Sequence, residues 1–256
     1  MNQRKRILLL GGSGYIGSHL KKALSVHNVI VESPSSSEVS LSEPYTLDRY
    51  IDNKQYNYTI YCVINKTRPQ FSYNFNNLKN ILKFKSQLGC FVLLSSRAVY
   101  DSLPSFDLFP PLDIDDIPPP QTNSYSYLKY MEELAVIKEM KDFLIFRLFD
   151  TFDDDILNRG PIPIWEKKHK RGKMLCSEEI TPIHVDSASE IIAECIVNDY
   201  PRGTYNLCSK KNVSSNEVLK RLLVTSNDNI ETISHKGVSS FPNYIDSRSW
   251  EKFFKF

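Results

Sequence analysis

The stretch Arg6-Ile7-Leu8-Leu9-Leu10-Gly11-Gly12-Ser13-Gly14-Tyr15-Ile16-Gly17-Ser18-His19-Leu20 decides the reading of the fold. Ile7 to Leu10 is a short apolar run, the pattern of a buried strand. It leads directly into glycines at 11, 12, 14 and 17, and then into Leu20-Lys21-Lys22-Ala23-Leu24, which reads as a helix. Strand, glycine turn and helix in that order form the phosphate-binding corner of a dinucleotide fold. A turn this tight needs backbone angles that side chains forbid. A pyrophosphate must also approach the backbone amides at the positive end of the helix. The spacing is Gly11-x-x-Gly14-x-x-Gly17 rather than G-x-G-x-x-G, and its place between a strand and a helix gives it weight. Gly11, Ser13, Gly14, Tyr15, Ile16 and Gly17 are the expected cofactor-binding residues of this turn.

Val29-Ile30-Val31 reads as a second strand, followed by Glu32-Ser33-Pro34-Ser35-Ser36-Ser37. An acid at the end of this strand takes the ribose hydroxyls of NAD, and its absence leaves room for the extra phosphate of NADP. Glu32 is a candidate acid. Side chains alternate along a strand, so Glu32 and Ser33 point opposite ways. With Ser33 at the discriminating position, and Ser35 among the serines that could donate to a phosphate, the reading favours NADP(H) over NAD(H). The serines read equally as a flexible loop.

Further along, helices are expected over 45–53 and 74–87, and strands over 59–64 and 90–94, the last ending in Ser95-Ser96. Residues 101–124 are rich in proline and acids and form a long loop, either a lid or a spacer. A helix from Ser124 or Tyr125 to about Met140 and a strand over 143–149 follow. Ile183 to Asp186 is a short extended piece entering a helix over 187–197, and Gly203 to Leu207 is a strand. Ser214-Ser215-Asn216-Glu217 resembles a capping box. Strands alternating with helices predict a parallel sheet covered on both faces.

The chain of 256 residues is 41% hydrophobic and 24% charged, enough for one or two globular domains. A net charge of +2 gives no electrostatic case for nucleic acid or a membrane surface. The run Lys167-Lys168-His169-Lys170-Arg171 reads as a solvated face or as a contact to a substrate diphosphate. Five cysteines without a C-x-x-C pair or metal spacing point to free thiols, a reducing compartment and no metal site. The apolar run after Arg6 stops at Gly11, too short for a signal-peptide core, and no segment is long enough to span a bilayer. A cytoplasmic protein is expected.

Tyr125-Ser126-Tyr127-Leu128-Lys129 places a phenol and an ammonium at i and i+4, on one face of a helix. A cation close to a phenol favours the phenolate, which suits a proton donor or acceptor near neutral pH. Ser95-Ser96 ends a strand, and ligands of doubly wound sheets bind at the carboxyl ends of strands. A hydroxyl there can meet Tyr125 across a cofactor.

Together these motifs resemble the extended short-chain dehydrogenase/reductase family, the group of NAD-dependent epimerases and dehydratases that act on sugar nucleotides. The resemblance lies in the Gly11-x-x-Gly14-x-x-Gly17 turn, in Ser95-Ser96-Arg97-Ala98-Val99-Tyr100, and in Tyr125-x-x-x-Lys129 followed by Glu132. It continues through Arg147-Leu148-Phe149-Asp150, Thr181-Pro182-Ile183-His184-Val185-Asp186-Ser187-Ala188 and Gly203-Thr204-Tyr205-Asn206-Leu207. It implies an α/β fold, a Rossmann-type doubly wound parallel sheet with a small discontinuous C-terminal substrate domain. Residues 1–151, with 183–205 returning to them, would bind NAD(P), and 152–256 would mainly bind substrate. It implies Ser96 as the catalytic hydroxyl, Tyr125 as acid/base, and Lys129 as the residue that holds the ribose and tunes Tyr125. Ser96, Arg97, Tyr125 and Asp150 would meet a nucleotide-sugar substrate. Asp150 replaces the family's usual asparagine, Ile180 stands where an arginine is frequent, and His184 corresponds to a structural residue.

The 4,6-dehydratases of the family carry acids just after the catalytic hydroxyl, where this chain has Arg97 and Ala98. The resemblance then implies an NADPH-dependent reductase of the 4-keto group of a nucleotide-linked 4-keto-6-deoxyhexose, a step of deoxysugar and surface-polysaccharide biosynthesis. A sugar-nucleotide 4-epimerase with tightly bound NAD is the alternative, and an NADP-binding regulatory or scaffold protein without turnover is a third. A homodimer through helices including 125–140 is the family expectation.

Overall fold

The computed structural model describes residues 4–65, 70–103, 112–153, 176–177, 179–180, 183–208, 213–214 and 233–234. Its chain divides into two compact units. The first comprises Met1–Pro104, Leu112–Arg147 and Ser189–Tyr205; the second comprises Ser105–Pro111, Leu148–Ala188 and Asn206–Phe256.

The first unit is built on β1 (Lys5–Leu10), β2 (Val29–Glu32), β3 (Tyr58–Tyr61), β4 (Cys90–Ser96) and most of β5 (Phe143–Leu148). Helices α1 (Tyr15–Ser25), α2 (Pro44–Ile51), α3 (Gln70–Leu82) and α4 (Tyr125–Glu139) connect them, and α5 (Val185–Val197) returns the chain to the unit. With the later strand β10 (Gly203–Leu207) the six strands lie in the order β10-β5-β4-β3-β1-β2, a parallel sheet of Rossmann type. β1 pairs in parallel with β2 (Ile7 beside Val31) and with β3 (Leu9 beside Ile60). The chain therefore reverses its march across the sheet between β2 and β3. The crevice of such a sheet opens at that switch point, beyond the carboxyl ends of β1 and β3.

Strand alternation sends Leu8, Leu10, Tyr61, Phe91 and Ile145 to one face, where they cluster with Leu47 of α2, Leu78 and Ile81 of α3 and Val136 of α4. Ile7, Leu9, Ile60, Val92 and Phe146 alternate with them and are equally buried. The Lys5 ammonium caps the end of α5 by donating to the carbonyls of Ile196 at 3.0 Å and Val197 at 2.8 Å.

Several boundaries differ from the sequence expectation; α2 runs over Pro44–Ile51 rather than 45–53, and α5 starts at Val185 rather than 187. The helix expected over 74–87 runs over Gln70–Leu82. It starts early because Phe71 and Phe75, one turn apart, stack at 5.5 Å, and Phe71 packs against Tyr127 of α4 at 5.1 Å. It ends early because residues 84–87 turn back on themselves, Gln87 N donating to Phe84 O at 2.8 Å, before Gly89 at φ +62° feeds β4. β3 stops at Tyr61 rather than Ile64, since the Asn74 side chain accepts from the Asn65 amide at 2.7 Å outside the sheet. β4 ends at Ser96, as expected, and the Ser96 side chain caps a short 3-10 helix over Arg97–Tyr100.

In the second unit, β6 (Thr151–Phe152) pairs in parallel with β9 (Ile183–His184), β8 (Glu179–Ile180) antiparallel with β11 (Val213–Ser214), and β7 (Cys176–Ser177) in parallel with β12 (Ile233–Ser234). His184 is buried edge-on to Phe152 at 5.3 Å and accepts the Asp186 amide at Nδ1, a packing role. The basic run 167–171, the helix start after Ser214 and the aromatic C-terminus lie outside the described residues. Among those residues, no helix is long and apolar enough to cross a membrane, and no cluster of His, Cys, Asp and Glu could hold a metal ion.

Candidate active site

The glycine turn lies at the switch-point crevice. Gly11 follows β1 at φ +90°, and a Cβ there would stand 2.8 Å from the carbonyl oxygen of Cys62, which follows β3. A Cβ on Gly17, inside the first turn of α1, would stand 2.0 Å from Gly11 O, so helix and turn touch backbone to backbone. The Gly14 amide donates to Gly11 O at 2.9 Å and closes the turn. Gly14 is the N-cap of α1, and no side chain caps that end. The first amides of a helix have no intrahelical acceptor, and here they carry the positive end of the macrodipole. With exposed Ser13 in the loop and Tyr15 and Ile16 opening the helix, this cradle fits a pyrophosphate.

The two side chains at the end of β2 point in opposite directions. Ser33 lies against the turn, its Oγ 2.0 Å from where a Gly12 Cβ would be. Glu32 turns away into a polar knot, accepting from Arg6 Nε at 2.5 Å, Tyr56 OH at 3.0 Å and Lys54 Nζ at 3.2 Å. Burial pushes the Glu32 carboxyl up, but the hydrogen bonds from Arg6, Lys54 and Tyr56 outweigh it and hold it below the usual carboxylate range. Ser35 is committed within its own loop: its amide and its hydroxyl both donate to Glu38 Oε2 at 2.8 Å. Its one hydroxyl proton is therefore already used, and a carboxylate stands where a phosphate would seek a donor.

Tyr125 opens α4 behind Ser124, whose Oγ accepts the Tyr127 amide at 3.0 Å. Tyr125 keeps 39% of its surface exposed, whereas Lys129 one turn on keeps 5%. The Lys129 Nζ lies 6.0 Å from the centre of the Tyr125 ring. It donates to the carbonyl of Leu94 on β4 at 3.0 Å and to Glu132 Oε2 at 2.8 Å. These bonds fix the ammonium beside the end of β4, two residues before Ser96. Ser96 Oγ accepts the Ala98 amide at 3.2 Å and is half-buried, like the neighbouring Arg97. An ammonium has three donors, so one N–H of Lys129 is left beyond its bonds to Leu94 and Glu132. Asp150 belongs to the second unit, where its carbonyl accepts the Ile183 amide at 3.2 Å.

Three residues that sequence reasoning gave no part in the site's electrostatics lie behind it. Glu132 and Glu133 are fully buried on α4, and Arg147 is fully buried on β5. Arg147 grips Glu133, donates to Tyr100 OH at 2.5 Å and to Leu112 O at 2.8 Å, while Ser95 Oγ donates to Glu133 Oε1. Burial works against the charge on Lys129, but Glu132, with smaller contributions from Tyr125 and Glu133, outweighs it and holds the ammonium above the usual lysine range. The spacing puts 129, 132, 133 and 136 on one helix face, but three charged residues there read from sequence as a solvated face, and the structure buries all four.

A glycine cradle at the switch point, and a phenol and an ammonium at the end of β4, define a protein of the NAD(P)-binding Rossmann class. The family model described as the NAD dependent epimerase/dehydratase family matches residues 7–155, more than half of the chain, and the chain belongs to that family. Among curated proteins no sequence match was found. Solved structures share the fold at low identity. The chain is similar to dTDP-4-dehydrorhamnose reductase of Bacillus anthracis in complex with NADP, at TM-score 0.68 and 15% identity over 99% of this chain and 92% of that one. It is similar to the Bordetella bronchiseptica enzyme WbmG in complex with NAD and UDP, at 0.71 and 18% over 98% and 88%. It is similar also to the UDP-glucose 4-epimerase of Thermus thermophilus in complex with NAD, at 0.65 and 16% over 89% and 85%.

Proposed function

We propose that the protein is an NAD(P)-dependent oxidoreductase of nucleotide-linked sugars that reduces the 4-keto group of a nucleotide-linked 4-keto-6-deoxyhexose. The observation that carries the reading is the placement of Lys129 beside the carboxyl end of β4, one helical turn from an accessible Tyr125. The bound dinucleotide would supply the hydride, delivered to C4. Tyr125 gives its proton to the oxygen that becomes the C4 alkoxide, and Ser96 hydrogen-bonds that same oxygen. Lys129 holds the ribose with its remaining N–H. Arg97 and Ala98, after Ser96, offer no acid or base for dehydration. The protein works as a homodimer.

NADPH is the favoured reductant, because Glu32, the acid that would take the ribose hydroxyls of NAD, is drawn into the Arg6, Lys54 and Tyr56 knot. The likeness to a reductase complexed with NADP and to an enzyme complexed with NAD and UDP supports a nucleotide-sugar substrate.

The test is a screen of CDP-, dTDP-, GDP- and UDP-4-keto-6-deoxy sugars with NADPH and NADH, following the absorbance of the reduced cofactor. Consumption with one of these sugars supports the reading. No consumption with any of them, together with NAD retained through purification and conversion of a UDP-hexose without added reductant, would replace it by an epimerase.

A further inference from the structure

We propose that Glu132 is the positioning residue for Lys129, a buried counter-charge on the same helix that keeps the ammonium protonated and fixed beside β4. The proposal rests on the cofactor reading above only for its consequence in binding.

Lys129 is 5% exposed and Glu132 is not exposed at all, and Nζ donates to Oε2 at 2.8 Å. An ammonium withdrawn from water loses its proton readily unless an opposite charge replaces the solvent. Glu133, one residue on, is already engaged, since Arg147 donates to both of its oxygens and Ser95 to one of them, and it adds a smaller push on Lys129 than Glu132 does. Among the described residues, the other titratable groups near the pair are the Tyr61 phenol on β3, the Cys62 thiol just after it, and Tyr125 itself. None of these groups is a carboxylate. Burial pushes the Tyr61 phenol up, and the Glu132 charge adds to that. Burial likewise raises the Cys62 thiol, to about 12. Burial and the neighbouring Glu133 push the Glu132 carboxyl itself above the usual carboxylate range while Lys129 works against them, and the 2.8 Å contact makes Glu132 the carboxylate that balances Lys129. Its second oxygen, Oε1, is buried without a hydrogen-bond partner, so the carboxylate is held there chiefly by the ammonium. The Leu94 carbonyl fixes where Nζ points, and Glu132 fixes its charge.

The experiment is carbon-13 NMR of the full-length protein labelled at lysine Cε, with the Lys129 signal assigned by its loss in Lys129→Met. In the wild-type protein the Lys129 midpoint is expected to lie above that of an ordinary exposed lysine. In Glu132→Gln its midpoint is expected to fall by about two pH units. In Glu132→Asp, where the carboxylate retreats by one methylene, it is expected to fall by less, and this variant decides the matter if the glutamine variant does not fold. A midpoint unmoved in every folded variant overturns the proposal, because a carboxylate that only fills space would leave the lysine proton where it is. A second readout tests the link to the cofactor. NADPH affinity in Glu132→Gln, followed by nicotinamide fluorescence, should fall about tenfold as pH rises through the NMR midpoint. A shifted midpoint with pH-independent NADPH binding upholds the counter-charge and rejects Lys129 as a ribose ligand. An unmoved midpoint rejects the counter-charge whatever the cofactor does.

Discussion

Arg147 on β5 holds Glu133 on α4 in a two-pronged ion pair, Nη2 to Oε2 at 2.7 Å and Nε to Oε1 at 3.1 Å, with neither side chain exposed to solvent. Removing one partner leaves an uncompensated buried charge, which costs about 3–5 kcal/mol. Arg147→Met is therefore expected to destabilise the protein by that amount in urea unfolding. The double variant Arg147→Met/Glu133→Leu should recover a large part of the loss, since apolar pairs often replace buried ion pairs at little cost. A single variant as stable as the wild type would show that the pair does not hold α4 against the sheet.

The roles assigned to Tyr125 and Lys129 separate in kinetics. Tyr125→Phe removes one hydroxyl and leaves the Lys129 bonds to Leu94 and Glu132 in place. Turnover is expected to fall about 10²–10⁴-fold with NADPH affinity little changed. Lys129→Met should weaken both. Turnover retained in Tyr125→Phe would remove the phenol from the chemistry.

The first strand, the glycine turn and α1 were legible because one physical demand fixed them: helix and turn meet at a distance that excludes a Cβ on Gly17. The face of α4 that carries Tyr125 and Lys129 was legible from i,i+4 spacing. The buried pairing behind it was not. Periodicity takes apolar residues as the inward face, yet Lys129, Glu132 and Glu133 share that face with Leu128 and Val136. What makes those charges tolerable comes from elsewhere, from Arg147 on another strand and from the Leu94 carbonyl. The fate of Glu32 was hidden in the same way, because Arg6, Lys54 and Tyr56 converge on it only after β1 and β3 have paired. The extra turn at the start of α3 follows from the contact of Phe71 with Tyr127, which no local window contains.

The Ser35 loop gives a prediction about cofactor choice. Glu38 accepts the Ser35 amide and hydroxyl, so a negative charge sits on the donors that an additional ribose phosphate would use. Glu38→Ala removes the charge and frees both donors. Its kcat/KM with NADPH, relative to that with NADH, is expected to rise several-fold, corresponding to about 1 kcal/mol from one hydrogen bond regained. An unchanged ratio would place the phosphate away from this loop.

Gly17 offers a test of the cradle that does not involve the chemistry. Gly17→Ala puts a methyl group 2.0 Å from Gly11 O, a backbone atom that cannot step aside without opening the turn. The variant should lose at least about 1 kcal/mol of stability, and its affinity for both NADPH and NADH should fall together. Binding as tight as in the wild type would move the pyrophosphate off the α1 terminus.

The carboxyl of Glu32 makes stability depend on pH with a defined sign. Burial raises it, and hydrogen bonds from Arg6, Lys54 and Tyr56 overcome burial, so the folded value lies below the ordinary 4.5. Above 4.5 the group is ionised in both states, and the folded state holds the carboxylate better. That contribution is complete at neutral pH and is lost as pH falls through the folded value, where the group protonates in the native protein too. Glu32→Gln lacks the contribution at every pH. The melting temperature of the wild type should therefore exceed that of the variant at pH 7, and the gap should narrow steadily from about pH 5 downward. Salt should narrow it as well at pH 7, because Arg6 keeps 36% of its side chain exposed and is open to screening. A gap that stays constant from pH 7 to pH 3 would mean that Glu32 is held by packing alone and that its charge is free to face a cofactor.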